Sequence, residues 1–293
     1  MNFPTDSDSD AGARAAIERI DALAIPHDPV HEGVRVRWRR FGKADSAQPP
    51  IVLLHGGHGS WMHWLRNIEA LAAERTLWLP DMPGFGDSGP PPRPGAGDAA
   101  VGPLLKALGG TLDTLIGAGT TIDLGGFSFG GLVAAKFAAG RGAVRRLALL
   151  GSGGHGTLRR MTVEMINWRA AANRAEERAA LQHNLGALML HDKGFDPLAF
   201  EIHDISCHGT RFRSKEVSLA GGLQAALDAI AAPQLLVWGE YDVTAEPRPL
   251  VAQLTSGQRG QPGREGAVID GAGHWVQYER ADEVNALLLR FLA

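Results

Sequence analysis

From Val34 onward, short apolar runs alternate with longer stretches in which apolar residues recur every three or four positions. Runs of four to eight apolar residues bounded by turn residues read as buried strands, and the 3.6-residue period reads as helix. On this basis strands are expected over residues 34–41, 51–54, 76–80, 122–127, 144–150, 234–238 and 267–269. Helices are expected over 11–23, 61–74, 101–115, 130–139, 220–230 and 249–254, with a last helix ending at 292. Residues 1–10 are acidic and polar and read as disordered, and the proline run 90–92 with glycines at 95 and 97 reads as a loop. The alternation predicts an α/β chain whose mostly parallel sheet is covered on both faces.

The rhythm breaks between 155 and 218, where no convincing strand occurs and helical patches, including one over 161–185, take over. Such an interruption reads as a helical cap inserted into one domain. The expected organisation is therefore a tail and helix over 1–25, a core over 26–154 and 219–293, and a cap over 155–218.

Composition narrows the picture. Of 293 residues, 38 are glycine and 17 proline, which fits many tight strand-to-helix turns. A net charge of −3 gives no reason to expect nucleic acid or an anionic membrane as partner. Cys207 is the single cysteine, so neither an internal disulfide nor a cysteine-based zinc site is available. No apolar run approaches a membrane span, and the opening residues lack the charge and apolar run of a secretory signal. The expectation is a cytoplasmic protein acting on a small molecule, with the oligomeric state open and a homodimer included.

Candidate chemistry gathers where strands end. Gly126-Phe127-Ser128-Phe129-Gly130-Gly131 follows one expected strand and opens a helix. A G-x-S-x-G string there forces a strained turn that lifts the serine hydroxyl above the sheet. Asp242 follows the 234–238 strand and His274 follows the 267–269 strand. Ser…Asp…His is the chain order of an α/β-hydrolase triad, with Ser128 as nucleophile, His274 as base and Asp242 as orienting acid. Glu240 is the rival for the acid. His55-Gly56-Gly57-His58-Gly59-Ser60 follows the 51–54 strand, making the Gly57 N–H a candidate oxyanion donor beside that of Phe129. His55, His58 and His63 form no H-E-x-x-H-like motif, so neither metal nor cofactor is expected. Gly151-Ser152-Gly153-Gly154-His155-Gly156 matches a dinucleotide fingerprint but lacks the acidic residue about 20 positions on, and reads as the entry to the cap.

With these motifs in place the chain resembles the α/β-hydrolase superfamily from about residue 34 to 292. Asp81-Met82-Pro83-Gly84-Phe85-Gly86-Asp87-Ser88 is similar to a loop common in that superfamily. Gly273-His274-Trp275-Val276-Gln277-Tyr278-Glu279 and Arg66-Asn67 look like motifs of the meta-cleavage-product hydrolases, which cut a carbon–carbon bond in ring-opened dienoates. That resemblance implies a cap arginine for the substrate carboxylate, with Arg211 and Arg213 both eligible. Two positions depart from it: Phe127 stands where that family has asparagine, and so does His63. A buried carboxylate without its partners is poorly held, which favours less polar esters. Trp275, Phe127, His63 and Trp61 are the expected substrate contacts, with an aromatic or medium acyl group in view. The leading reading is a cofactor-independent serine esterase acting through an acyl-enzyme; dienoate C–C hydrolysis is second. Thioesters, lactones and amides remain open, and the non-enzyme alternative is a ligand receptor on the same fold.

Overall fold

Strands buried on both faces need unbroken apolar runs, and the chain places them at the centre of one sheet. The computed structural model describes residues 6–43, 46–91, 101–256 and 263–293. Helix α1 (Asp6–Asp21) leads into four short strands: β1 (Ile25–His27), β2 (Val30–His31), β3 (Val34–Arg35) and β4 (Trp38–Phe41). Next come β5 (Ile51–Leu54), a 3-10 turn (Trp61–Trp64), α2 (Ile68–Glu74), β6 (Leu77–Pro80) and α3 (Val101–Ile116). The middle of the chain supplies β7 (Ile122–Phe127), α4 (Phe129–Arg141) and β8 (Val144–Leu150). A second 3-10 turn (Trp168–Ala170), α5 (Arg174–Leu188), α6 (Pro197–His208), α7 (Ser214–Leu219) and α8 (Leu223–Asp228) follow. The chain closes with β9 (Gln234–Gly239), α9 (Pro247–Ser256), β10 (Arg264–Ile269), α10 (Val276–Glu279) and α11 (Ala281–Leu292).

Eight strands form the main sheet in the order β1-β4-β6-β5-β7-β8-β9-β10. The block from β6 to β10 is parallel, while β4 runs antiparallel to both β6 and β1. Side chains alternate between faces with period two. Ile51 and Leu53 therefore join a core with α1, α2, α6 and α11, while Val52 and Leu54 join another with α3, α4, α8 and α9. Because the strands are parallel, the loops after β5, β7, β9 and β10 all emerge at one edge, where ligands of open α/β sheets bind.

Several expected elements change on inspection. Helix α1 begins at Asp6, inside the stretch read as disordered; residues 1–5 lie outside the described residues. Of the 90–97 loop, 92–97 likewise lie outside them. The expected 61–74 helix is divided into the 3-10 turn and α2 because Asn67 turns its amide to the Gln277 carbonyl and to Asn285 Oδ1, 3.0 and 2.8 Å away. The expected 161–185 helix exists only as α5. Upstream of it, Asn184 accepts from the Ile166 N–H and donates to its carbonyl, both at 2.8 Å, satisfying that backbone without a helix. Asn173 caps α5, and Asp196 with Pro197 starts α6, the usual first-turn chemistry. Among residues 155–218 the structure contains helices and turns but no strand. No helix among the described residues is long and apolar enough to cross a membrane.

Candidate active site

Ser128 sits between β7 and α4 with φ 54° and ψ −119°, a conformation that costs a non-glycine residue of order 1–3 kcal/mol. The turn is possible only because its flanks are glycine. A Cβ on Gly126 would meet the Gly130 carbonyl, and one on Gly130 would meet the His55 carbonyl. The turn is fixed by the Ser128 N–H to Leu150 O, 2.9 Å, and by the Gly153 N–H to Ser128 O, 2.9 Å. The glycine string at 151–156 is therefore bonded into the frame of the site.

At the same sheet edge His274 Nε2 lies 2.9 Å from Ser128 Oγ, and His274 Nδ1 lies 2.8 Å from Asp242 Oδ2. Asp242 is fully buried and His274 is 3% exposed. The other oxygen of Asp242 accepts from the Thr244 N–H, 2.8 Å, and from the Thr244 hydroxyl, 2.7 Å. Burial alone would raise the Asp242 pKa. The charge of His274 and the hydrogen bonds from His274 and Thr244 outweigh it and hold the carboxyl below the ordinary aspartate value. Glu240 takes no part: it accepts from the Gly271 N–H, 3.2 Å, and pairs with Arg248.

The glycine turn after β5 is organised by two buried histidines. His55 Nε2 accepts from the Met82 N–H, 2.9 Å, so its Nδ1 carries the proton donated to Gly56 O, 2.8 Å. His63 Nδ1 accepts from the Gly56 N–H, 3.1 Å, which places its proton on Nε2. Burial lowers the pKa of both rings, His63 well below the usual value, so both are neutral near pH 7. Asp81 anchors the end of the turn by accepting from the Trp61 N–H, 2.9 Å, while its other oxygen faces Arg39 at 3.1 Å. The Gly57 N–H has no hydrogen-bond partner among the described residues. The Phe129 N–H, first in α4, is one of the donors a helix leaves unpaired.

The four expected substrate contacts fare differently. Phe127 is fully buried against the His274 ring, centroids 5.0 Å apart, and also against His63, 5.3 Å. Trp275, also fully buried, donates its indole N–H to His63 O, 2.9 Å, and stacks on Tyr278 at 4.2 Å. These rings make a packed column behind the histidine. Trp61 is not brought to the site; it packs on Phe41 and beneath Arg39. Of the two eligible arginines, Arg211 is spent on the carbonyls of Gly86, Ser88 and Gly209, and Arg213 is exposed.

Two residues near the site escaped the sequence reading. Thr244 had a signal, since an aspartate commonly accepts from the backbone N–H two positions on. Arg159 had none. It is partly buried, has no hydrogen bond or ion pair among the described residues, and feels the charge of Asp242. Among the described residues no group of three or more His, Cys, Asp or Glu could hold a metal ion.

With the geometry in view, comparison with known proteins places the chain. A model of the alpha/beta hydrolase family matches residues 51–287. The chain is 31% identical over 273 residues to the dihydrolipoyllysine-residue acetyltransferase component of the acetoin cleaving system of Pseudomonas putida, covering 89% of this chain and 67% of that protein. It is 27% identical over 257 residues to a 2-hydroxy-6-oxononadienedioate/2-hydroxy-6-oxononatrienedioate hydrolase of Cupriavidus pinatubonensis, covering 83% and 86%. The solved structure of naproxen esterase (carboxylesterase NP) from Bacillus subtilis superposes with a TM-score of 0.75 at 20% identity, over 99% of this chain and 100% of that one. The protein is a member of the alpha/beta hydrolase family.

Proposed function

We propose that the protein is a cofactor-independent serine hydrolase that forms an acyl-enzyme on Ser128, with carboxylic esters of aromatic or medium-length acyl groups as substrates. The observation that carries this reading is the unbroken hydrogen-bond chain Asp242–His274–Ser128 at the carboxyl edge of the sheet. His274 Nε2 accepts the Ser128 proton as Oγ attacks the acyl carbon, then returns it to the leaving alkoxide. Asp242, held ionised by Thr244, keeps the proton of neutral His274 on Nδ1 and stabilises the imidazolium that forms. The N–H groups of Gly57 and Phe129 are the donors for the oxyanion. Water then attacks the acyl-enzyme with His274 again as base. The helices of residues 155–218 act as a cap over this edge, and the buried column of Phe127, His63 and Trp275 supports the histidine from behind.

A second reading is hydrolysis of a carbon–carbon bond in a dienoate, the activity for which the Cupriavidus relative is named. The observation favouring it is Arg159, an unpaired and partly buried cation near Asp242 that could receive a carboxylate. The two are separated by kcat/KM on a short p-nitrophenyl ester and on a yellow ring-cleavage dienoate, with Ser128→Ala as blank. The ester is expected to be preferred by at least about tenfold, a transition-state difference of ~1.4 kcal/mol. Preference for the dienoate, with KM raised by Arg159→Gln, would replace the esterase reading. No turnover of either would favour the receptor alternative.

A further inference from the structure

Ser214, the first residue of α7, belongs to the helical insertion, yet its side chain lies against the oxyanion turn. A Cβ added to Gly57 would collide with Ser214 Oγ, and Phe129 Cβ stands 3.6 Å from the same point. The hydroxyl thus lies against Gly57, whose N–H is one of the two oxyanion donors, on the side of that residue that Phe129 also faces. Phe129 also belongs to a ring cluster with Phe85 and Phe212, centroids 5.5–6.0 Å apart. Ser214 is 3% exposed, and its hydroxyl has no hydrogen-bond partner among the described residues. The residue is nearly buried, its hydroxyl is unpartnered yet not wholly sealed, and its proton is therefore free for an acceptor that arrives with the ligand. Gly57 fits the same account, because any side chain at that position would displace the hydroxyl.

We infer that Ser214 is a further catalytic residue, whose hydroxyl donates a hydrogen bond to the reacting oxygen alongside the N–H groups of Gly57 and Phe129. The inference rests on Ser128 being the nucleophile, as proposed above. No proton is transferred: the O–H stays on Ser214 and its hydrogen bond strengthens as the carbonyl oxygen gains charge. Because α7 is part of the insertion, the site is complete only when that segment is seated on the core.

The test is the second-order rate at which a fluorophosphonate modifies Ser128, since its P=O oxygen enters the same site and the natural ester need not be known. Wild type, Ser214→Ala, Ser214→Cys and Ser128→Ala are compared by intact mass, each with its thermal midpoint. Ser214→Ala is expected to slow labelling at least about tenfold, within what loss of one oxyanion donor does. Its thermal midpoint should be unchanged or higher, because no hydrogen bond of the fold is lost. Ser214→Cys, which keeps the volume but supplies a weak donor, should be slowed similarly. Labelling of Ser214→Ala within threefold of wild type would overturn the inference, as would slowing accompanied by a lowered midpoint. Wild-type rates in Ser214→Cys would also overturn it, since packing would then be the cause. If wild type itself fails to label, or Ser128→Ala labels equally, the nucleophile assignment falls and this inference falls with it.

Discussion

Ser128 combines a proposed nucleophilic role with a strained backbone, and the two can be separated experimentally. Glycine adopts φ near 54° without penalty, so Ser128→Gly should raise stability by about 1 kcal/mol while abolishing turnover. Thermal melting with an activity assay checks both; a lowered midpoint would show that the turn is not strained. Trp275 illustrates a different role. Fully buried, with its indole N–H on His63 O, it would leave a cavity as Trp275→Ala, costing about 3–5 kcal/mol. A marked fall in thermal midpoint is expected, not merely a change in KM. The juxtaposition of Ser128, Asp242 and His274 was legible because Ser128 directly follows β7, the other two lie on the loops after β9 and β10, and glycines mark the turns. Trp61 could not be placed, since an aromatic on a short turn can face either way and only Arg39 and Phe41 decide it. Ser214 was illegible because nothing local couples it to Gly57, a residue distant in sequence.

Elements were legible where apolar residues dominate a short run. Strands β5, β7 and β8 lie where the pattern put them, with Asp123 on β7 and Arg145 and Arg146 at the start of β8 as the polar interruptions. The edge strands β1 and β2 were missed: at two or three residues each, partly exposed, they carry too few positions for a period. Helix α1 was underestimated because much of its support is tertiary: Arg14 reaches Glu201 on α6, Arg178 on α5 reaches Asp10, and Arg39 reaches Asp21. At the far end of the sheet, buried Asp123 on β7 joins Arg75 and Arg145. Those arginines also bind the carbonyl of Leu292, tying α11 to the core. Asp123→Ala would leave Arg75 buried without its counter-ion, a change worth about 3–5 kcal/mol. A fall in thermal midpoint of at least about 5 °C is expected; a neutral result would show that the network adds nothing to stability.

Across the whole molecule, the cluster of buried histidines sets an acid limit. Burial pulls His203, packed against Cys207 and near His58, down to about 4. Below the ordinary histidine value the unfolded chain binds a proton that the folded chain refuses. Stability therefore falls as pH drops from about 6.5 to about 4, by roughly 3 kcal/mol from this group, and is flat above. Urea unfolding at pH 7 and pH 4.5 should show a smaller decline for His203→Gln than for wild type; equal declines would contradict it.

The central claim is that Ser128, drawn out by His274, is the nucleophile. Its most direct test is intact-mass analysis after exposure to a fluorophosphonate at pH 7.5. The account predicts a single adduct mapped to Ser128, none on Ser128→Ala, and strongly slowed labelling of His274→Ala. An unlabelled wild type, or an adduct that persists on Ser128→Ala, would contradict it.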